Sequence, residues 1–303
     1  MIDRPVPAAS GRIDPGVSER ISSHETGGID MQEATFQSSD GLTIFYRSWQ
    51  PDGAPKGVIV INHGFNAHSG QVGWTAGQFA AAGFAVYALD MRGRGKSEGK
   101  RFFVKDVKEH TGDLHQMVLL AKAAHPGLKT FLLGHSAGGV VSVTYSLDHQ
   151  GELAGLVCED FAFKVPAPDF ALAIIKFIGG IFPNLPVLKL KMEDFTRDPV
   201  ALAALLADPL TKDETQPAAT VAALARADDR LRVSFPQITL PVLILHGTGD
   251  KAALYQGSQF FFDHAGSADK TLKLYEGHYH DLLNDIGKEA VMADVLGWID
   301  ARL

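Results

Sequence analysis

Ser136 lies in the middle of residues 134–138, G-H-S-A-G, which match the pattern G-x-S-x-G. An apolar run at 131–133 precedes this pentapeptide and predicts a buried strand, and helix-compatible residues follow it. Glycine on both sides permits a turn so tight that the serine hydroxyl is exposed as a nucleophile. The amide of Ala137, at the start of the helix, has no intrahelical partner and can bind an oxyanion. The alternative interpretation is an ordinary glycine-rich turn with a solvated serine.

A serine becomes a nucleophile near neutral pH only with a base to take its proton and an acid to orient that base. Asp250 follows an apolar strand predicted at 242–245, and His278 and His280 follow another predicted at 271–275. Because the carboxyl ends of parallel strands meet at one edge of a sheet, these groups are expected beside Ser136. Their spacing alone does not distinguish His278 from His280.

A second oxyanion donor is expected at the amide of Phe65, which comes directly after His63 and Gly64 and the apolar strand predicted at 57–62. Together, the amides of Phe65 and Ala137 would stabilise the developing negative charge, by about 3–4 kcal/mol for each donor. His63 is interpreted as a structural residue that braces this loop.

The elements around these residues predict an α/β fold with a mostly parallel, doubly wound sheet, because apolar strands alternate with helices along most of the chain. The alternation stops at residues 160–236, which contain helical patterns near 168–178, 199–206 and 216–230 and no good strand. The segment 160–236 is therefore predicted to be an inserted helical cap on a core formed by 34–159 and 237–303. Residues 1–33 lack periodicity and are predicted to be a flexible arm.

The composition of the chain disfavours some classes of function. The chain has 303 residues, 46% of them hydrophobic, and a net charge of −7. This charge disfavours nucleic acid or a polybasic membrane anchor as the main partner. The single Cys158 excludes an internal disulfide, and with no apolar leader visible it favours a cytoplasmic location. The longest apolar stretch, 170–182, is too short for a bilayer span of about 20 residues.

Several stretches together resemble the monoacylglycerol lipase and lysophospholipase branch of the α/β-hydrolases, over about residues 34–303. They are I-N-H-G-F-N-A-H-S-G (61–70), A-L-D-M-R-G-R-G-K-S-E-G-K-R (88–101), L-L-G-H-S-A-G-G (132–139), D-P-L (208–210), P-V-L-I-L-H-G-T-G-D (241–250) and Y-E-G-H-Y-H-D-L-L-N-D (275–285). The resemblance implies that Asp250 is the catalytic acid and that His280, rather than His278, is the base. Since some α/β-hydrolases take the acid from the preceding strand, Asp160 is the alternative.

Four positions depart from the family pattern. Relatives usually carry an acidic residue where Ala67 stands, and Arg-Tyr where Gln71 and Val72 stand. They commonly carry Met where Ala137 stands, which does not affect a backbone donor. The cap hardly matches, and caps determine substrate choice. The 88–101 stretch is interpreted as structural, with Arg92, Arg94 and Glu98 in ion pairs.

The first half of the cap is crowded with large apolar side chains, which predict an apolar tunnel for an acyl chain. Each buried methylene would contribute about 0.8 kcal/mol, so such a tunnel selects medium or long chains. The predicted tunnel residues are Phe161, Phe170, Ile174, Phe177 and Ile178. Two alternatives remain open: that these side chains form the core of the cap, or that they face outward and make transient contact with a membrane or lipid surface.

These observations predict a serine esterase for small lipid-like monoesters with an apolar acyl chain, such as monoacylglycerols. The alternatives are a carboxylesterase for xenobiotic or aromatic esters and, less favoured, a ligand-binding scaffold without turnover. No metal or organic cofactor is implied, because the histidines lack a recognisable ligand spacing. The oligomeric state is left open.

Overall fold

A nine-stranded sheet forms the centre of the computed structural model, which describes residues 19–26 and 29–303. The strand order in the large sheet is β1-β2-β3-β5-β4-β6-β7-β10-β11, and β8 pairs with β9 in a second, two-stranded sheet. The strands are β1 (Glu19–Thr26), β2 (Ile29–Gln37), β3 (Thr43–Gln50), β4 (Gly57–Asn62), β5 (Phe84–Leu89), β6 (Thr130–His135), β7 (Gly155–Glu159), β8 (Pro186–Leu188), β9 (Gln216–Pro217), β10 (Val242–Gly247) and β11 (Lys270–Tyr275). The helices are α1 (Gly73–Ala81), α2 (Val107–Ala124), α3 (Ala137–His149), α4 (Asp169–Ile181), α5 (Pro199–Ala207), α6 (Ala218–Ser234), α7 (Tyr255–His264) and α8 (Lys288–Asp300).

Six neighbouring strands of the sheet are parallel to one another: β5, β4, β6, β7, β10 and β11. The remaining strands β3, β2 and β1 extend one edge of the sheet and pair in antiparallel fashion. Every residue of β4, β5, β6, β7 and β10 is buried, since helices cover both faces of the sheet. Two apolar clusters, one on each face, form the core. The predicted α/β-hydrolase fold, with its doubly wound and mostly parallel sheet, is confirmed.

The prediction of a flexible arm at residues 1–33 is wrong for part of that segment. Residues 19–26 form β1, which pairs with β2, and β2 begins at Ile29 and pairs in turn with β3. An edge hairpin is held by main-chain hydrogen bonds. It therefore does not require the alternation of apolar and polar residues that identifies a half-buried strand in a sequence. Residues 1–18 and 27–28 lie outside the described residues.

The segment 160–236 follows β7 and precedes β10, so it is inserted between two neighbouring strands of the sheet. It contains α4, α5 and α6 as expected. The prediction that it has no strand is wrong for five residues, because β8 pairs with β9. Helix α4 packs closely on α6 at Gly179, where an added Cβ would lie 2.6 Å from the Cβ of Ala222. Gly179 therefore permits close helix packing.

Candidate active site

Ser136 stands alone between β6, which ends at His135, and α3, which begins at Ala137. Its backbone has φ 55° and ψ −122°, a strained conformation for a residue with a side chain. Glycine is needed on both sides of it. A Cβ at Gly138 would lie 2.2 Å from the main-chain oxygens of Asn62 and His63, and one at Gly134 would lie 2.6 Å from Oγ of Ser142.

Three of the predicted site residues form one hydrogen-bonded chain. Nε2 of His280 lies 2.7 Å from Oγ of Ser136, and Nδ1 of His280 lies 2.7 Å from Oδ2 of Asp250. Asp250 lies beyond β10 and His280 beyond β11, so the carboxyl ends of three parallel strands bring them together. All three residues are buried. This geometry allows His280 to take the hydroxyl proton while Asp250 orients the imidazole.

The two alternative residues lie elsewhere. The carboxylate of Asp160 accepts hydrogen bonds from the amides of Gly247 and Leu282, at 2.9 and 3.3 Å, and so fixes the loops that follow β10 and β11. Nδ1 of His278 lies 3.8 Å from the carboxylate of Asp285. Within the described residues, the side chains of Asp160 and His278 form no hydrogen bond or ion pair with Ser136 or His280.

A cavity of about 420 Å³ opens beside Ser136. Phe65 and Ala137 line it together with Ser136 and His280, so both predicted oxyanion residues border the space where an ester carbonyl would sit. In the described chain, the amides of Phe65 and Ala137 make no hydrogen bond to protein. The rest of the wall is mostly apolar. It comes from the segment 162–194, from α6 and from the loop after β10: Ala162, Val165, Pro166, Ala167, Leu172, Ile175, Val187, Leu188, Lys189, Leu190, Lys191, Asp194, Val221, Leu224, Ala225, Asp228, Lys251 and Ala252.

The five predicted tunnel residues do not line this cavity. Phe161 is fully buried in the main core, where its ring stacks on Phe163 at 5.6 Å. Phe170, Ile174 and Phe177 are 51–69% exposed on the outer face of α4. Ile178 is partly buried and lies outside the cavity lining. The inner face of α4 instead presents Leu172 and Ile175, since a helix places residues three apart on one side.

The profile of the serine aminopeptidase S33 family, also called Hydrolase_4, matches residues 53–287, which is more than half of the chain. The chain belongs to this family of α/β-hydrolases.

Relatives of this S33 hydrolase include named lipases. It is 36% identical to a monoacylglycerol lipase of Mycolicibacterium smegmatis over 89% of this chain and 98% of the relative. It is 31% identical to the monoglyceride lipase of Homo sapiens over 88% of this chain and 89% of that protein. The crystal structure of the Paleococcus ferrophilus monoacylglycerol lipase superposes with a TM-score of 0.77 at 29% identity, covering 86% of this chain and 99% of that one. The chain is thus a monoacylglycerol lipase-like member of the family.

The electrostatics of this S33 hydrolase keep Asp250 ionised. Burial by itself would raise the pKa of Asp250, but His280 and His246 bring it well below its ordinary value. The other carboxylate oxygen, Oδ1, accepts the amides of Ala252 and Ala253 at 2.7 and 2.9 Å. Both carboxylate oxygens of Asp250 therefore accept hydrogen bonds, and Oδ2 accepts its bond from His280.

Burial lowers the pKa of His280 below its ordinary value of 6.5, and this outweighs the opposing effect of Asp250. Since only the neutral imidazole can act as the base, we expect kcat/KM to rise with pH through a midpoint below 6.5 and to stay on a plateau at higher pH. The profile should be measured with a water-soluble short-chain aryl ester between about pH 5 and about pH 9. A midpoint above 6.5 would contradict this account of His280.

The loop that carries the amide of Phe65 is held from two sides. Nδ1 of His63 donates to the carbonyl of Gly64 at 2.7 Å, and Nε2 accepts the amide of Met91 at 3.0 Å. Burial lowers the pKa of His63 to about 4, so it stays neutral. This arrangement is consistent with the predicted structural role of His63.

From the other side, the guanidinium of Arg94 lies 4.4 Å from the centre of the Phe65 ring and forms a buried ion pair with Glu214. Oε1 of Glu214 also accepts the amide of Asn66 at 3.1 Å. This support was not visible in the sequence, because Glu214 lies in the inserted segment, 120 residues from Arg94. It joins the inserted segment directly to the loop that carries Phe65.

The other two members of the predicted ion-pair group have different partners. Arg92 does form ion pairs, binding Asp113 through two hydrogen bonds of 2.6 and 2.7 Å and contacting Asp40 at 2.8 Å. Glu98 forms none among the described residues, because its carboxylate accepts the amide of Thr43 at 2.7 Å. The prediction of an ion pair is therefore wrong for Glu98, which instead fastens its turn to β3.

Proposed function

We propose that this chain hydrolyses monoacylglycerols through an acyl-enzyme on Ser136. The proposal depends on one observation above all: the hydrogen-bonded chain from Asp250 through His280 to Ser136 opens into an apolar cavity bordered by two free amides. The names of the relatives in several organisms support the glyceride substrate.

The reaction takes two steps. As Oγ of Ser136 bonds to the ester carbonyl carbon, its proton moves to Nε2 of His280, and the amides of Phe65 and Ala137 stabilise the oxyanion. The ester C–O bond then breaks, and His280 protonates the departing glycerol oxygen. Water next attacks the acyl-enzyme with His280 again as the base, releasing the fatty acid and restoring Ser136.

The apolar lining of the cavity predicts which acyl groups the enzyme prefers. Leu172, Ile175 and Leu224 offer apolar contacts along its wall, so each added methylene should improve kcat/KM until the cavity is filled. The test compares 1-monoacylglycerols with p-nitrophenyl esters of the same acyl chains. Efficient turnover of medium and long glycerides supports the proposal, whereas turnover confined to short aryl esters would overturn it.

One observation favours the second candidate, a carboxylesterase for non-glyceride esters. The segment after the oxyanion loop lacks the acidic and Arg-Tyr residues of its relatives, and its polar groups bind one another. Gln71 and His68 both contact the carboxylate of Asp208, at 2.9 and 2.8 Å. Polar groups that already have partners are poorly placed to bind the hydroxyls of glycerol.

We further propose that the segment 160–236 is a cap whose outer face contacts lipid. Along α4, the side chains of Phe170, Ile174, Phe177 and Ile181 form one exposed apolar stripe at helical spacing. Such a helix can lie in the interface of a bilayer. No helix among the described residues is long and apolar enough to cross one. Since Cys158 is buried and unpaired, we assign the protein to the cytoplasm, with peripheral membrane contact.

We expect a Phe170→Ser, Phe177→Ser double variant to bind neutral phospholipid vesicles at least about tenfold more weakly than the wild type, since each buried phenylalanine contributes about 1.5–3 kcal/mol. Vesicle co-sedimentation measures the effect. The matched control is Val233→Ser, which removes an equally exposed apolar side chain from α6 and should leave binding unchanged. Equal losses in both variants would contradict a role for α4.

A further inference from the structure

A second cluster of polar side chains lies between α2 and the end of α3. It consists of His115 on α2, His149 at the last residue of α3, and Glu152 just beyond it. Their side chains are 22%, 34% and 27% exposed, so solvent reaches the cluster without surrounding it. The length of α3 separates the cluster from Ser136 by about 20 Å, which sets it apart from the hydrolytic site.

The distances within the cluster suit a metal ion better than hydrogen bonds. Nδ1 of His149 lies 3.3 Å from Oε1 of Glu152, and Nδ1 of His115 lies 3.5 Å from Oε2. Hydrogen bonds to a carboxylate are usually about 2.7–2.9 Å long. A tetrahedral ion with bonds of about 2.0–2.1 Å separates its ligand atoms by about 3.3 Å. All three ligand atoms lie within 4.8 Å of one another.

The lone pairs of the cluster are also available. Within the described chain, Nδ1 of His115 is a buried atom with no hydrogen-bond partner. Among the described residues, Lys122 forms no ion pair with the carboxylate, and its ammonium donates to the main-chain carbonyl of Glu152 at 2.8 Å.

The surroundings hold these ligands in place. The hydroxyl of Tyr145 donates to Oε2 of Glu152 at 2.6 Å, as an outer group that orients a ligating carboxylate does. The ring of Tyr145 stacks on that of His149, and His149 stacks on His115 at 4.1 Å between centroids. Both Nδ1 atoms lie within 3.5 Å of the same carboxylate.

We propose that His115, His149 and Glu152 bind a divalent transition-metal ion of the zinc type, with solvent completing the coordination. Two imidazoles and one carboxylate are a ligand set that zinc accepts. Because His115 belongs to α2 and the other two ligands to the end of α3, the ion would join neighbouring helices and stabilise the folded chain by mass action. The site is structural, since it lies far from Ser136. Sequence reasoning missed it because His115 is 34 positions from His149 and matches no known ligand spacing.

The test is a titration of the full-length, chelator-treated protein with Zn²⁺ by calorimetry and with Co²⁺ by visible absorption. We expect one ion per chain and a rise in Tm on adding Zn²⁺. His149→Ala should weaken binding at least about 100-fold and abolish the rise in Tm. Tyr145→Phe, which keeps the ligands and most of the packing, should weaken binding about 10-fold.

Two controls separate this site from others. His264→Ala removes an exposed histidine from α7 and should bind zinc as the wild type does. Asp250→Asn should also retain binding, although Asp160, His246 and Asp250 bring further donor atoms together at the hydrolytic site. The proposal is overturned by an absence of saturable binding in the wild type. Binding that survives in His149→Ala and Tyr145→Phe but is lost in Asp250→Asn would overturn it as well.

Discussion

Replacing Ser136 with alanine is expected to lower kcat for 1-monoacylglycerol hydrolysis by at least about 10⁴-fold while KM changes little. The hydroxyl of Ser136 lies 2.7 Å from the base His280 and borders the cavity in which the ester would bind. Alanine removes the atom that forms the acyl bond but leaves the apolar wall that binds the substrate. The measurement is steady-state kinetics of the two proteins with the same glyceride.

Ser146→Ala is the matched control for this experiment. Ser146 is a buried serine on α3 whose hydroxyl donates to the carbonyl of Ser142 at 2.9 Å, two to three turns beyond Ser136. The substitution removes a hydroxyl from the same helix and leaves the candidate active site unchanged, so kcat should stay close to the wild-type value. Turnover that survives in Ser136→Ala would mean that another group attacks the ester, and the proposed reaction would be wrong.

Asp250→Asn is expected to lower kcat by about 10⁴-fold with little effect on the fold. Nδ1 of His280 donates a hydrogen bond to the carboxylate of Asp250 at 2.7 Å, which leaves Nε2 unprotonated and free to take the proton of Ser136. An amide can instead donate to Nδ1, and this favours the tautomer in which Nε2 carries a proton and cannot act as a base. Steady-state kcat of the variant, with circular dichroism as a check on folding, tests this role.

Asp160→Asn distinguishes the two candidate acids. Burial raises the pKa of Asp160 well above its ordinary value, and the charges of Asp250 and Glu159 raise it further, so its surroundings disfavour a charge there, and asparagine keeps the shape of the side chain without one. Its hydrogen bonds come from the amides of Gly247 and Leu282 and do not involve His280. We therefore expect Asp160→Asn to keep kcat within about tenfold of the wild type. If Asp160→Asn lost as much activity as Asp250→Asn, the assignment of the acid would be contradicted.

The central strands of the fold could be predicted because their sequence patterns are typical of only one kind of element. The predicted bounds of β4 are those observed, since a continuous apolar run flanked by turns is typical of a strand buried on both faces. α2 begins at Val107, where Asp106 and Glu109 form a capping box. β1 was missed because main-chain pairing at a sheet edge leaves little trace in the side chains.

The positions of Ser136, Asp250 and His280 could be predicted because each follows directly after an apolar strand. Only the family resemblance separated His280 from His278, since both come just after β11 and only the loop conformation decides which one faces Ser136. The support of the oxyanion loop by Arg94 and Glu214 depends on a contact across 120 residues, which no local pattern indicates.

The cavity lies in the segment for which a tunnel was predicted, but the large residues predicted on α4 do not line it. That helix carries large apolar residues on most of its surface, so its periodicity does not tell which face is turned inward. Packing against α6 determines this, through the close approach at Gly179. As a result Leu172 and Ile175 line the cavity while Phe170 and Phe177 face outward.

The most direct test of the central claim, that Ser136 is the nucleophile, is labelling of the full-length protein with a fluorophosphonate followed by mass spectrometry of its peptides. We expect one label per chain, on the peptide that contains Ser136, and slower labelling in the presence of a monoacylglycerol. Ser136→Ala should take up no label, and Ser146→Ala should be labelled as the wild type is. A wild-type protein that stays unlabelled, or a label on another residue, would contradict the claim.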